Sequence, residues 1–131
     1  MKTFFKWDEP SRVEVRIARD AEVAAHWRRV CRLVDQRDGR QCRCCGKRTD
    51  PDDVGLQRGH RHHIQYKSAC GPDETWNVVT LCAVCHNEEE HRHRLRIEGN
   101  ADEALTFWRK EADGAWYVVR RELTVRVVEK D

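Results

Sequence analysis

Two stretches decide the fold of this chain: Gln41-Cys42-Arg43-Cys44-Cys45-Gly46-Lys47 and Trp76-Asn77-Val78-Val79-Thr80-Leu81-Cys82-Ala83-Val84-Cys85-His86. Each holds a Cys-x-x-Cys pair, Cys42 with Cys45 and Cys82 with Cys85. A tight turn brings the two thiolates of such a pair together. Two pairs complete a tetrahedral sulfur site, which suits Zn²⁺ and leaves no position for a substrate. The four cysteines therefore read as a structural zinc staple whose metal affinity is folding energy. A redox role is disfavoured, because nothing around either pair resembles a βαβ unit. Cys44 competes with Cys42 or Cys45 for the ion, although adjacent Cys44 and Cys45 cannot form the usual knuckle together. Cys31 and Cys70 read as plain thiols, Cys31 buried and Cys70 packed or exposed.

The composition calls for such a staple. Of 131 residues, 39% are hydrophobic and 37% charged, and the mean hydropathy is −0.88. That bounds the chain to one small domain with a thin core, which needs metal or disulfides. Five Trp compensate in part, and Trp27, Trp76, Trp108 and Trp116 are the expected core fillers. Residues 1–10 lack a signal peptide's apolar stretch, and no run approaches membrane-spanning length. The expected compartment is the reducing cytoplasm, where seven Cys, an odd number, read as ligands rather than disulfides.

Net charge is only +2, so the global balance does not announce a nucleic-acid binder. Residues 11–48 are different, with eleven Lys or Arg against five Asp or Glu. This basic third either faces phosphates or forms a solvated helix face.

Before the first knuckle, the sequence opens with Phe4, Phe5 and Trp7. Arg12-Val13-Glu14-Val15-Arg16-Ile17 then alternates strictly, which predicts a short strand. Asp20 is a candidate helix cap. Val23, Trp27, Val30 and Val34 fall on one face of a helix from Ala21 to about Arg37, with Arg28, Arg29 and Arg32 off that stripe and Asp38-Gly39 as its stop. Between and after the knuckles, Val54 to Ile64 reads as a strand, 65–76 as a loop, and Val78 to Leu81 as a return strand. His86 to about Arg96 reads as a helix. Two extended runs, Leu105 to Lys110 and Trp116 to Val128, flank Asp113-Gly114 and predict a hairpin.

Five of the seven His lie between 60 and 91, bracketing the zinc ligands. His62-His63-Ile64 ends a strand, Asn77 begins the return strand, and His86 follows the last zinc Cys. Closing the zinc site folds the His62–His63 strand back over the helix that carries His86. In this order (Cys-x-x-Cys, His-His-Ile, Gly, Asn, Leu-Cys-x-x-Cys-His) the chain resembles the zinc-containing, four-cysteine branch of the HNH, or ββα-metal, endonuclease family. The lead-in Gln36-Arg37-Asp38-Gly39-Arg40-Gln41-Cys42 and the segment Trp76 to Cys82 are also similar to that family. The resemblance covers about 36 to 97, and residues 1–35 and 98–131 stand outside it.

The resemblance implies an α+β protein: a small ββα-metal core stapled by a four-cysteine zinc site, with an N-terminal helix and a C-terminal β-hairpin. The implied division is an N-terminal extension with strand and basic helix (1–40), a nuclease core (41–97) and the hairpin (98–131). It implies a metal-dependent endonuclease that hydrolyses DNA phosphodiester bonds in a bacterial or phage setting. His63 matches the general base that takes a proton from water. His62 and His86 match ligands of a catalytic divalent ion (Mg²⁺, Mn²⁺, Ni²⁺ or Zn²⁺) on the scissile phosphate. Neighbouring strand residues face opposite sides, so one histidine can hold metal while the other faces water. Asn77 matches the middle letter of the family name and holds His63 through loop backbone.

One departure is visible. Many family members carry another His one helical turn after the ligand His; here that position is Glu90, with His91 one further on. Either Glu90 or a water fills the third position. His91 and His93, with Arg92, Arg94 and Arg96, alternatively touch phosphates or solvent. His26 and His60 read as structural or surface. Arg28, Arg29 and Arg32 are the expected contacts to the DNA backbone. Two other readings compete: a non-catalytic zinc-stapled nucleic-acid-binding module, which leaves His62, His63 and His86 unexplained, and a zinc-ribbon protein-interaction module.

Overall fold

Ser11 opens the first helix. Its hydroxyl accepts from Glu14 N at 3.1 Å, and the Glu14 carboxylate accepts from Ser11 N at 3.0 Å. This reciprocal capping box satisfies orphan donors of the first turn and starts α1, Arg12–Asp38. The computed structural model describes residues 10–50, 52–55 and 57–123. The aromatic opening at Phe4, Phe5 and Trp7 and the run from 124 to Val128 lie outside them.

The expected strand over 12–17 is thus helix, and Asp20 is an interior residue rather than a cap. Alternation alone is a poor guide there, because Val13 and Ile17 are both exposed and, among the described residues, no strand pairs with them. The helix is about 40 Å long at 1.5 Å per residue, yet it packs only through its second half, from His26 on. Val30, Leu33 and Val34 are buried, whereas Val23 is 58% exposed. Gly39 ends it in the left-handed region, φ 62°, and donates its N–H to Asp35 O at 2.9 Å.

Two small antiparallel sheets follow. In the first, β1 (Gly59–His63) pairs with β2 (Val78–Cys82) in the register His62↔Val79 and His63↔Val78. β1 starts later than the expected Val54. Asp50 and Asp53 side chains accept from the backbone of Asp52 and Gly55, and these local turns hold the segment as loop. Helix α2, Ala83–Glu90, packs against this hairpin.

The second sheet has three strands in the order β3 (Leu95–Gly99), β4 (Leu105–Lys110) and β5 (Trp116–Arg121). The expected β4–β5 hairpin is present, but the expected helix stops at Glu90 and its supposed tail is β3. Leu95 buried and Ile97 half-buried alternate with exposed Arg96 and Glu98, the pattern of a one-sided strand. At Gly99, φ is +120° and a Cβ would lie 2.5 Å from Ala104 O, so only glycine fits the turn into β4.

The core joins Cys42, Cys44, Cys82 and Cys85 to Val79, Leu81, Leu95, Leu105 and Phe107, all buried. A second cluster sets Val30 and Val34 of α1, with half-buried Trp27, against Val78. Tryptophan fills less of the core than expected. Trp76 is 40% exposed, and the Arg96 guanidinium lies 4.6 Å from the centroid of the half-buried Trp116 ring. Among the described Phe, Tyr and Trp residues, Phe107 is the fully buried one.

Charge is the unexpected part of the interior. Asp38 is buried and accepts from Arg37 Nε at 2.8 Å, Arg37 Nη2 at 3.0 Å and Thr80 N at 3.0 Å. Buried Arg43 donates to Ala101 O at 2.6 Å, lies 3.4 Å from Asp38, and pairs in fork fashion with Glu122. Arg37 reaches Asp102 at 2.9 Å. This network joins the end of α1, the first knuckle, β2 and the residue after β5.

Candidate metal and phosphodiester site

The first knuckle turns at Gly46, φ 81°, with Cys42 N donating to Lys47 O and Gly46 N to Cys42 O, both at 2.8 Å. The second is the start of α2, where Cys82 is the N-cap and its sulfur accepts from Cys85 N at 3.5 Å. Their four sulfurs lie within 4.8 Å of one another, and Cys45 Sγ is 3.7 Å from Cys82 Sγ. Four Zn–S bonds of about 2.3 Å in a tetrahedron place sulfurs about 3.8 Å apart, so donor set and spacing both fit a structural zinc. Three of these thiols, Cys42, Cys45 and Cys85, are pushed above the ordinary cysteine value. Cys42 is pushed up to about 12, by its hydrogen bond with Cys85 and then by burial. Cys44 is buried in the core beside the four and is not one of them. Cys31 is half-buried and Cys70 exposed.

The histidines converge beside the staple. β1 sends His62 and His63 to opposite sides. His62, buried, faces α2, with its ring edge-on to His86 at 5.5 Å and to Tyr66 at 5.8 Å. Its Nε2 lies 2.9 Å from Glu89 Oε2. The two atoms are buried without an aligned hydrogen bond, as donors turned toward a shared point would be. Tyr66 donates to the other oxygen of Glu89 at 2.7 Å. Burial would raise Glu89, but the close His62 ring and the Tyr66 hydroxyl prevail and hold it below the usual carboxylate value. His86 stands 2.8 Å from Glu90, one turn on, and lies flat against His60 at 4.3 Å between centroids. Burial, then the neighbouring His60, lowers the pKa of His86 and favours the neutral ring a metal needs. Among the described residues only the four cysteines bring three or more ligand atoms within 4.8 Å of one another. His62, His86, Glu89 and Glu90 offer nitrogen and oxygen donors of the kind that could hold a divalent ion together with water.

His63 faces the other way. Its Nε2 lies 2.8 Å from Asp73 Oδ1, and its ring stacks on Trp27 of α1. Burial would raise Asp73, but the hydrogen bond with His63 and the charge of Lys67 outweigh it, and its pKa falls. The chain between the two hairpin strands is shaped by Asn77, which is 1% exposed. Asn77 Oδ1 accepts from Gln65 N at 2.8 Å, and Nδ2 donates to Gln65 O at 3.0 Å and Pro72 O at 3.1 Å. It thus clamps the backbone just after His63 to the backbone just before Asp73. Gly71 makes the clamp possible, since a Cβ there would lie 1.7 Å from Gln65 O.

Together these residues border a cleft of about 330 Å³ lined by Arg61, His62, His63, Tyr66, Lys67, Ser68, His86 and Glu90. His62, His63 and His86 all line this cleft. Glu90 shares His86's face, as its spacing requires, and His91 caps the helix. His60 is no bystander, since it stacks on His86. Glu89, Tyr66, Asp73 and Trp27 were missed; only tertiary packing brings them in. His26 Nε2 donates to the Asp73 carbonyl oxygen at 2.7 Å. Arg28, Arg29 and Arg32 are exposed on α1. Arg28 and Arg32 line a second cleft; Arg29 is not among its lining residues.

Residues 42–92 match the family model described as HNH endonuclease. With the α+β fold and the four-cysteine cluster, the match identifies this segment as an HNH endonuclease domain, which suggests nuclease activity in general. The chain carries this domain as its central segment. Neither the search of curated proteins nor that of solved structures gives a match. No helix among the described residues is long and apolar enough to cross a membrane.

Proposed function

We propose that this chain is a metal-dependent endonuclease that hydrolyses DNA phosphodiester bonds, with residues 41–97 as its nuclease core. Within the N-terminal extension (1–40) and the C-terminal segment (98–131), α1 and the strands β4 and β5 buttress that core, and β3 runs across the boundary between the last two. One observation carries the reading: adjacent residues His62 and His63 face opposite sides of one cleft, with His86 and the Asn77-clamped loop completing it.

His63 is the general base. The Asp73 carboxylate, anionic at neutral pH, takes the Nε2–H and leaves the Nδ1 lone pair for water. Water gives its proton to His63 as its oxygen bonds phosphorus, and the 3′ oxygen leaves, protonated by solvent. Asn77 holds the loop, and through it the orientation of His63 and Asp73. His62 and His86, with Glu89 or Glu90, would hold a divalent ion (Mg²⁺, Mn²⁺, Ni²⁺ or Zn²⁺). When bound, that ion supplies charge for the phosphate oxygens and the leaving oxygen. Cys42, Cys45, Cys82 and Cys85 hold the structural Zn²⁺. Arg28, Arg29 and Arg32 supply phosphate contacts.

The test is supercoiled plasmid incubated with the zinc-loaded protein and each divalent ion in turn. Nicked or linear product that depends on the added ion supports the reading. Intact plasmid under every ion, from protein that retains its zinc, contradicts it.

A further inference from the structure

A second cleft, about 590 Å³, opens beside the first and is lined by Trp27, Arg28, Arg32, Gln36, Arg40 and Arg61 among others. Arg61 belongs to both clefts. Trp27 walls the second and stacks on His63 of the first. Asp35 fixes Arg61 at the border, accepting from Nη2 at 2.6 Å and from Nε at 3.2 Å. Asp35 is also the one carboxylate in a lining that carries four guanidinium groups.

Arg28, Arg32 and Gln36 follow one another at four-residue steps of α1, about 6 Å per step along the axis. Arg40 is brought in by an unusual turn. Gly39 and Arg40 both have positive φ, 62° and 56°, and the Arg40 carbonyl is held by Thr49 N at 2.8 Å and Thr49 Oγ1 at 3.0 Å. A non-glycine residue adopts that backbone only where the surroundings enforce it.

We infer that this cleft is a flanking subsite for duplex DNA, a reading that rests on the nuclease assignment of the neighbouring site. The strand cut at the histidine cleft crosses Arg61 and lays its phosphates, on one side of the cut only, along Arg28, Arg32 and Arg40. Guanidinium forks in a row suit phosphates. A single-strand platform needs aromatic faces for bases, and the one indole here is stacked on His63. Arg29 has no part in this subsite.

The experiment uses full-length, zinc-loaded protein without added divalent ion or chelator and a fluorescein-labelled duplex, with anisotropy read across salt. Arg28→Ala with Arg40→Ala lowers the slope of log K against log salt by close to two, at about 0.9 per phosphate contact. The control pair Arg16→Ala with Arg19→Ala, on the exposed first half of α1, leaves it unchanged. On a duplex with one mapped cut, uncharged methylphosphonate linkages raise KM several-fold on one flank only, and the Arg28/Arg40 variant loses that sensitivity. An unchanged slope, or equal sensitivity on both flanks, overturns the subsite. A parent that cuts while the variant keeps its slope removes the subsite and leaves the nuclease. A parent that binds with the Arg-dependent slope but never cuts supports the binding cleft and removes the nuclease.

Discussion

Trp27 lies face to face with His63, ring centroids 5.2 Å apart and planes 15° from parallel. The tryptophan comes from α1, outside the segment 42–92 that matches the HNH family. The proposed base is therefore oriented by an element the family pattern does not contain. Stacked aromatic pairs contribute about 0.5–1.5 kcal/mol beyond area burial. Trp27→Ala is expected to lower kcat about tenfold with circular dichroism unchanged, and Trp27→Phe to restore most of it. Equal kcat in parent and Trp27→Ala contradicts the positioning role.

Asp73 is the other hand on His63. Its folded-state pKa is depressed, so its contribution to stability is complete above the ordinary carboxylate value and disappears as pH falls through the lowered value. Asp73→Asn is expected to cost about 1–2 kcal/mol near pH 7 and almost nothing in strong acid. Cleavage falls as well, because the neutral amide no longer favours a proton on Nε2. Denaturant melts of the two proteins across pH check the first expectation; a difference that grows toward acid contradicts it.

Glu122 pairs with buried Arg43 across 79 residues of sequence. Removing one member of a buried pair leaves the other charge uncompensated and costs about 3–5 kcal/mol. Glu122→Ala should show that loss in urea titration. Glu98→Ala, at an exposed residue, should change stability by under about 0.5 kcal/mol.

The zinc staple predicts one ion per chain. Cys82→Ser should lower its affinity and destabilise the domain by several kcal/mol, whereas Cys70→Ser, at an exposed thiol, should do neither. Metal content measured beside thermal melts separates the two. A folded, zinc-free parent contradicts the staple.

How much of this was legible in the sequence follows from what kind of signal each residue carries. The cysteine pairs and the His62, His63, His86 set have fixed local spacing, and spacing is what a sequence displays. The short strand at Val78–Cys82 also reads directly, as an apolar run between a turn and a knuckle. Arg12 to Ile17 alternates like a strand, yet the Ser11–Glu14 capping box is the stronger local signal and starts a helix there. β3 was absorbed into a helix because α2 ends without glycine or proline; His91 closes it. Asp73, Glu89 and Trp27 carry no motif, and the Arg43–Glu122 pair is long-range, so each depends on folding to be seen.

The most direct test of the central claim is the single-turnover cleavage rate of His63→Ala against parent, at matched metal and pH, with zinc content and melting temperature measured on both. The proposed base predicts a loss of about 10²–10⁴-fold, with the fold and the zinc retained, and a parent rate that falls toward acid as the imidazole takes up a proton. Cleavage by His63→Ala at the parent rate would contradict the mechanism and return the chain to a zinc-stapled module that binds nucleic acid without cutting it.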